Sequence, residues 1–326
     1  MPNNNLLNKF EFSYYSSACT LPNGRIIITG GGISNAVYEI SISNFRIQLK
    51  KPMKQTRKEH GSVYVNKAVY VLGGYDTFSS NFLSTCEKFN PDKNEWSFIK
   101  NMNIAKCAFA VTAVNNRHIF TFGGYDGKER LNIIEKYDLV SDVWAIYEIK
   151  LPQPLSNGAC FSPKSDQIVL LGGGYNNGFS LEVLTLDLEK KVWTKMPNMS
   201  EGKDLRNKLV YNNNCLFAIG GNNYKAEKFS LLKNGWENLK SYANCYQDNL
   251  DSWSCALSFE VEGFKAESAE MIIDNMADRL EIEENLMNND NELNYLNYVY
   301  DDQFNMSGNE DNDSHLDVNE SEEFDF

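Results

Sequence analysis

The stretch that decides the fold covers residues 118–144 and reads HIFTFGGYDGKERLNIIEKYDLVSDVW. It joins a short apolar run to the pair Gly123–Gly124. It then places an aromatic residue at Tyr137 and a second one, Trp144, seven positions later. A Gly pair by itself is a common turn signal. The stretch becomes informative because the chain repeats the same landmarks in the same order.

The repeat has a period close to fifty residues. The first glycines of five Gly clusters are 43, 50, 49 and 48 residues apart. After each cluster, an aromatic or Leu residue is followed by a second aromatic at a spacing of seven, and the next Gly cluster comes 27 or 28 residues later. The glycines are Gly30, Gly73, Gly123, Gly172 and Gly220, and the pairs are Tyr38/Phe45, Phe89/Trp96, Tyr137/Trp144, Leu186/Trp193 and Phe229/Trp236. A period held at three landmarks indicates a repeat architecture.

Each unit has the composition of a small β-sheet. Runs such as residues 26–28, 68–72 and 168–171 are rich in β-branched and aromatic residues and are too short for helices. About four strands fit into a unit of about 50 residues, which is the size of a propeller blade. The Trp that follows the third-strand aromatic supplies an apolar body that packs between neighbouring blades.

These landmarks resemble the kelch motif, in which a Gly pair is followed by a Tyr and then by a Trp. The resemblance covers about residues 11–264 and implies an all-β fold, a kelch-type β-propeller with five clear blades. Blade one departs from the motif with Phe45 in place of Trp, and blade four departs from it with Leu186 in place of Tyr. Gly263 continues the period, so residues 254–262 are interpreted as the start of a degenerate sixth blade. Either residues 7–13 or residues 295–300 supply the closing strand.

The sequence predicts three parts: a propeller in residues 1–265, an amphipathic helical segment in residues 266–290, and an acidic disordered tail in residues 291–326. Residues 281–326 contain fifteen Asp or Glu and no Lys or Arg, whereas the rest of the chain has 31 basic and 29 acidic residues. The net charge of −13 therefore belongs to the tail, and such a block is expected to stay solvated. The helical segment either docks on the propeller or binds a partner. The tail either only keeps the protein soluble or folds back onto the propeller mouth.

The seven cysteines predict buried, reduced side chains, because their number is odd and no C-x-x-C occurs. The N-terminal residues lack an apolar signal region, and no apolar run is long enough to span a membrane. The near-neutral body and the acidic tail disfavour nucleic acid as a partner. We therefore expect a cytoplasmic monomer without membrane or nucleic-acid contacts.

Catalytic chemistry has little support in the sequence. The alternative considered is a propeller enzyme or small-molecule binder similar to galactose oxidase, whose copper site needs His beside Tyr. The chain has only His60, His118 and His315, and it lacks a His pair, a Walker A loop and zinc spacing. The sequence therefore predicts a protein that is not an enzyme and has no metal and no cofactor.

Binding of another protein at the propeller mouth is the favoured function. The resemblance implies that the mouth is lined by the loops after each Gly pair and by the loops that lead into each innermost strand. The first set contributes Tyr75, Tyr125, Tyr175 and Tyr224, the second set contributes Arg57, Lys106, Asn157 and Lys203, and the longer loops of blades two to four add Arg130 and Asn177. A ring of cations and Tyr suits a carboxylate-bearing peptide. A cytoskeletal partner follows only from family analogy.

Overall fold

The computed structural model describes residues 13–239, except 42, 45, 176–177, 206–208, 213–214, 219–225 and 231. The predicted sixth blade, both candidate closing strands apart from residue 13, the helical segment and the acidic tail lie outside these residues. Within the described part, all regular secondary structure is β-strand. That part contains no helix that is long and apolar enough to cross a membrane.

Five four-stranded antiparallel sheets follow one another along the chain. Blade one contains β1 (Ser17–Leu21), β2 (Arg25–Thr29), β3 (Val37–Ser41) and β4 (Arg46–Lys50); blade two contains β5 (Gly61–Val65), β6 (Ala68–Leu72), β9 (Cys86–Asn90) and β10 (Glu95–Ile99). Blade three contains β11 (Ala110–Val114), β12 (His118–Phe122), β13 (Ile134–Asp138) and β14 (Val143–Ile146). Blade four contains β15 (Ala159–Lys164), β16 (Gln167–Leu171), β19 (Val183–Asp187) and β20 (Val192–Met196); blade five contains β21 (Leu209–Asn212), β22 (Cys215–Ala218), β23 (Glu227–Ser230) and β24 (Gly235–Asn238).

Two small hairpins extend the loops after the Gly pairs of blades two and four. They are β7 (Tyr75–Asp76) with β8 (Asn81–Phe82), and β17 (Gly174–Tyr175) with β18 (Gly178–Phe179). The innermost strands of consecutive blades, from β1 through β5, β11 and β15 to β21, contact one another in chain order. This arrangement confirms the predicted kelch-type propeller and its five blades.

Burial explains why these segments become strands. The second strand of blade two, β6, is buried at all five positions, because it lies inside the sheet and is covered by blades on both faces. The outer strand β10 is mainly exposed and buries only Trp96 fully. A continuous β-branched run therefore marks the covered strand, and a lone Trp marks the outer one.

The seven-residue aromatic spacing is a cross-strand pair. Phe89 lies opposite Trp96, and Tyr137 lies opposite Trp144, on the third and fourth strands of their blades. The predicted pair Tyr38/Phe45 of blade one is wrong, because Tyr38 lies opposite Leu49. Hydrogen-bond register shows that the equivalent pair is Ile40 and Ile47, again seven apart. Aliphatic residues occupy the aromatic positions in this blade, and residue 45 lies outside the described part of the chain.

The Trp side chains fasten the blades at their outer rim. Trp144 is buried in the core cluster between blades two and three, and its ring lies 5.0 Å from that of Tyr137. Its indole nitrogen donates a hydrogen bond to the carbonyl oxygen of Lys100, which follows the outer strand of blade two, at 2.9 Å. Trp96, Trp193 and Trp236 make the same kind of bond to Lys51, Lys150 and Pro197.

We predict that Trp144→Ala lowers the free energy of unfolding by about 3–5 kcal/mol, because it leaves a cavity between two blades and removes the bond to Lys100. Val143→Ala is the matched control, since the neighbouring Val143 side chain is half exposed. Urea denaturation of both variants measures the effect. Equal midpoints for Trp144→Ala and the unsubstituted protein would contradict the packing role.

Candidate functional site

One end of the propeller, which we call the loop face, collects two sets of loops. The second and fourth strands of a blade run in the same direction, so β2 and β4 both end at this face. The first set follows the Gly pairs, and the second set leads from each outer strand to the innermost strand of the next blade. The sequence predicted that these sets line one surface, and the strand order brings them together.

The Gly pairs are needed because backbone meets backbone at this face. Gly73 and Gly74 have φ of 52° and 102°, which favours Gly. The amide of Gly74 donates a 2.9 Å hydrogen bond to the carbonyl oxygen of Lys106 in the next interblade loop. A Cβ on Gly73 would lie 2.8 Å from the same oxygen. Any other residue would therefore push the two loops apart.

The three predicted mouth cations are not at the surface, which corrects the sequence-based placement. Arg57 and Lys106 are 0% exposed, and Lys203 is 2% exposed. Each lies beside a buried carboxylate at 2.9, 2.9 and 3.2 Å, in the pairs Arg57–Glu87, Lys106–Glu135 and Lys203–Glu227. A charge without a partner would be too costly to bury, so each cation stays with its Glu. These side chains hold the loops and do not meet a partner in this structure.

The Arg57–Glu87 pair shows what the buried pairs do. The Arg57 guanidinium donates to the carbonyl oxygens of Gly73 and Thr85 at 2.7 and 3.0 Å. The Glu87 carboxylate accepts the backbone amides of Lys54 and Gln55 at 2.8 and 3.2 Å. The pair therefore joins both sets of loops within one blade. In blade three, burial lowers the pKa of the equivalent lysine, and its Glu opposes that shift.

Blade four replaces the ion pair with two leucines. Leu155 occupies the position that Lys106 has in blade three. The backbone shows this, because the amide of Gly124 donates to the carbonyl oxygen of Leu155 just as the amide of Gly74 donates to that of Lys106. The position two residues before the third-strand landmark is Leu184, where blades two, three and five have Glu. Both leucines are buried. The sequence analysis placed Asn157 at the position of the cations. In the structure Leu155 has that position, and Asn157 lies two residues further along the chain.

Lys58, next to the buried Arg57, is the cation that the loop face presents among aromatic rings. Its ammonium lies 5.9, 5.8 and 5.5 Å from the ring centroids of Tyr14, Tyr15 and Tyr75. Two backbone hydrogen bonds of 2.9 Å hold the main chain of Lys58 beside that of Tyr75. Within the described residues, no carboxylate forms an ion pair with Lys58.

The aromatic surface continues from blade two to blade three. The ring of Phe82 lies 5.0 Å from that of Tyr75 and 5.6 Å from that of Tyr125, edge to face in both contacts. Tyr125 is 36% exposed, and it is bridged to Arg130 across its own loop. Arg130 in turn donates to the hydroxyl of Ser156 in the interblade loop before blade four, at 3.1 Å.

Of the remaining predicted residues, Tyr175 is half-buried in blade four and donates to Glu182 at 3.5 Å. Asn177 and Tyr224 lie outside the described part of the chain. The structure therefore brings together Tyr75, Tyr125, Arg130, Tyr175 and Asn157 at the loop face. Their part in binding stays a prediction.

A small cavity lies where the entries to the innermost strands of four blades meet. Its volume is about 40 Å³, and its lining residues are Tyr15, Ser16, Ser17, Glu59, His60, Ala108, Phe109 and Asn157. This is enough for a few water molecules and far less than the roughly 300–1,000 Å³ of pockets for drug-sized ligands. The sequence predicted a binding role for Asn157 but not for Glu59 or His60.

The two described histidines lie at opposite ends of the blades. His60 is buried near the loop face, where its Nε2 lies 2.8 Å from the Thr29 hydroxyl. Burial, and then the charge of Arg57, lower the pKa of His60 to about 3. His118 begins β12 at the other end and lies 3.3 Å from Asp138. These two residues do not form the ligand pair of a copper site, and no cluster of three or more His, Cys, Asp or Glu that could hold a metal occurs in the described part.

Comparison with known proteins decides the family. A family model described as the KLHDC2/KLHL20/DRC7 Kelch-repeats domain matches residues 16–221. The chain belongs to the kelch-repeat family. Kelch-like protein 25 of Xenopus tropicalis is 25% identical over 261 residues, which are 76% of this chain and 41% of that protein. Kelch-like protein 35 of Mus musculus is 26% identical over 165 residues, which are 50% of this chain and 26% of that protein.

The kelch chain thus covers about two fifths or less of these curated relatives. Among solved structures, one described as "Structure of YjhT" has a TM-score of 0.61 and 14% sequence identity, and the match covers 71% of this chain and 84% of that one. At that identity the likeness concerns the fold alone.

The buried ion pairs predict strong energetic coupling. Lys106→Leu leaves Glu135 buried without a cation and should lower the free energy of unfolding by about 3–5 kcal/mol. Adding Glu135→Leu should recover much of that loss, because blade four is built with two leucines at these positions. Urea denaturation of both single variants and the double variant gives the coupling energy. The exposed pair Lys195–Glu182 is the control, with an expected coupling below about 1 kcal/mol; additive losses at Lys106 and Glu135 would contradict the prediction.

His60 predicts a pH dependence of stability. Its pKa is about 3 in the folded protein against 6.5 in the unfolded chain, so the unfolded state binds the proton more tightly. Above pH 6.5 the ring is neutral in both states and adds no pH dependence. Below pH 6.5, we expect the folded state to lose about 1.4 kcal/mol per pH unit relative to His60→Gln, down to about pH 3. Chemical denaturation of both proteins from pH 7.5 to 4 checks this, and parallel profiles would refute it.

Proposed function

We propose that this kelch propeller is a non-catalytic module that binds another protein through its loop face. The observation that carries the proposal is the continuous aromatic surface around Lys58, made by Tyr14, Tyr75, Phe82 and Tyr125. Tyr, Phe and cationic side chains that combine apolar area with polar groups are typical of the centres of protein interfaces.

Exposed apolar side chains border this surface. Phe78 is 70% exposed at the tip of the blade-two hairpin, and Ile33 is exposed in the neighbouring loop of blade one. A 3.0 Å hydrogen bond from the Thr77 hydroxyl to the carbonyl oxygen of Gly32 joins these two loops. Phe179 adds a partly exposed ring on the blade-four hairpin. Such side chains offer contact area to a macromolecule, whereas the cavity at the loop face is too small for a drug-sized ligand.

The charge of the surface favours an acidic partner segment. Lys58 has an ammonium without a paired carboxylate among the described residues, and backbone bonds hold its main chain beside that of Tyr75. A carboxylate of the partner would complete an ion pair there, flanked by Tyr rings that exclude water. Arg130 presents a second cation on the blade-three side. The acidic peptide predicted from the sequence is therefore retained, although the cations that contact it differ from those first assigned.

The proposal predicts a large charge effect at one position. Lys58→Glu should weaken partner binding at least tenfold, because it replaces an attraction with a repulsion, and Lys58→Met should have a smaller effect. The partner is first identified by photo-cross-linking from position 78 or 125, with position 140 on the opposite face as the control, and binding is then measured by calorimetry.

The matched control is Lys93→Glu, which makes the same substitution in an exposed turn of blade two at the opposite face. It should leave the affinity unchanged. Because exposed ion pairs are screened by salt, the difference between Lys58→Glu and the unsubstituted protein should shrink as ionic strength rises. Equal affinities for Lys58→Glu and Lys93→Glu would exclude the loop face around Lys58 as the binding surface.

A further inference from the structure

A chain of backbone hydrogen bonds links the entries to the innermost strands of consecutive blades at the loop face. Tyr15, Glu59, Ala108 and Asn157 precede the innermost strands of blades one to four, and all four have φ between 52° and 59°. The amide of each residue after Tyr15 bonds to the carbonyl of the one before it, at 3.0, 2.8 and 2.7 Å, and the amide of Leu205 continues the series at 3.0 Å. The left-handed conformation is costly for residues other than Gly and Asn. All four residues line the same cavity.

The cavity is rich in hydrogen-bond acceptors. The Oδ1 atom of Asn157 is buried and has no hydrogen-bond partner among the residues that the structure describes. The amide nitrogen of the same side chain faces a carboxylate oxygen of Asp204 at 3.5 Å, and this contact fixes which end of the Asn157 side chain is the acceptor. A buried acceptor without a donor is costly, so a ligand that supplies a donor is favoured.

Glu59 brings negative charge to the same cavity. Its Oε2 atom accepts a hydrogen bond from the Cys107 thiol at 3.2 Å. No Lys or Arg of the described residues forms an ion pair with it. The arginine of the same loop, Arg57, forms its ion pair with Glu87. The neighbouring Lys58 lies against the rings of Tyr14, Tyr15 and Tyr75. Glu59 and Asn157, which carry this carboxylate and this amide oxygen, therefore both line the same small space.

We propose that this cavity receives the ammonium group of a lysine side chain presented by the partner protein. The inference rests on the proposed function and names one contact within it. An ammonium has three donors and one positive charge, which match the amide oxygen of Asn157 and the carboxylate of Glu59, two of the residues that line the cavity. The volume of about 40 Å³ accommodates a group the size of a water molecule or an ammonium.

The surroundings tolerate a positive charge. His60 is neutral at neutral pH, because its pKa is lowered to about 3, and it therefore does not repel a cation. The partner segment would thus place a carboxylate on Lys58 and a lysine in the cavity, and the two contacts orient it across blades one to four.

The test uses the full chain and a small probe, so it does not depend on knowing the partner. Saturation-transfer NMR is recorded with Nα-acetyl-lysine methylamide, with its Nε-acetylated form, and with butylammonium. We expect saturation of the ε-methylene protons of the lysine probe, with an affinity in roughly the millimolar range, and no signal from the Nε-acetylated form. Glu59→Gln should weaken the lysine probe about tenfold by removing the charge.

Two further variants complete the test. Asn157→Gly removes the acceptor at a position whose φ of 58° suits Gly, so it should fold and should also weaken the probe. Glu129→Gln removes an exposed carboxylate from the same face outside the cavity and should have no effect. Equal binding of the acetylated probe, or unchanged binding by Glu59→Gln, overturns the inference. Butylammonium binding more than tenfold tighter than the lysine probe also overturns it, in favour of a site for free amines.

The inference and the proposed function fail in different measurements. A negative NMR result together with weaker partner binding by Lys58→Glu retains the loop-face function and removes the lysine contact. The opposite result is that the probe binds in a Glu59-dependent way while Lys58→Glu leaves partner binding unchanged. That result identifies an amine site and removes the proposed partner surface.

Discussion

The close approach of two backbone segments at each Gly pair is the constraint on which the rest of the structure depends. The second glycine of a pair donates its amide to a carbonyl of the following interblade loop, as Gly31 does to Arg57 and Gly173 does to Lys203. No side chain takes part in this bond, so it persists where the residue at the carbonyl position is Leu155. The bond sets where each innermost strand begins, and thereby where the loops of the binding surface lie.

Side chains then reinforce this backbone contact in two chemically different ways. In blades two, three and five a cation is buried against a Glu, and in blade four two leucines occupy the same places. Burial of an ion pair costs desolvation energy, and replacement of both members by apolar residues is often neutral or stabilising. The same backbone arrangement is therefore compatible with either an ion pair or two leucines, provided that both positions change together. A single exchange would leave one charge unpaired.

The repeat made the fold predictable from the sequence, because the Gly pairs and the aromatic spacing report directly on backbone geometry and packing. The register of blade one was not predictable in this way, since Ile40 and Ile47 carry no aromatic signal. The loops of Tyr75 and Tyr125 were placed correctly at the loop face for the same geometric reason that placed the strands. These landmarks are local, and one period of sequence is enough to show them.

The burial of Arg57 was beyond the reach of a local reading, because its partner Glu87 comes thirty residues later. A cation next to an aromatic-rich loop resembles an exposed binding residue until its counter-ion is known. A signal was nevertheless present in the sequence. Glu precedes the third-strand aromatic by two residues in each blade that has the cation, and Leu184 occurs where the cation is absent. A comparison of the repeats with one another, position by position, would have distinguished Arg57 from Lys58.

The indole bonds at the outer rim have a consequence for the energetics of recognition. Among the described blades one to five, each pair of neighbours is attached at two places, by a Gly amide near the axis and by a Trp such as Trp96 at the periphery. Two attachments at different radii prevent one sheet from sliding or pivoting against the next. The loops between them are therefore held in place before a ligand arrives. Association then loses little conformational entropy in the propeller, so the ordering cost of complex formation falls mainly on the partner segment.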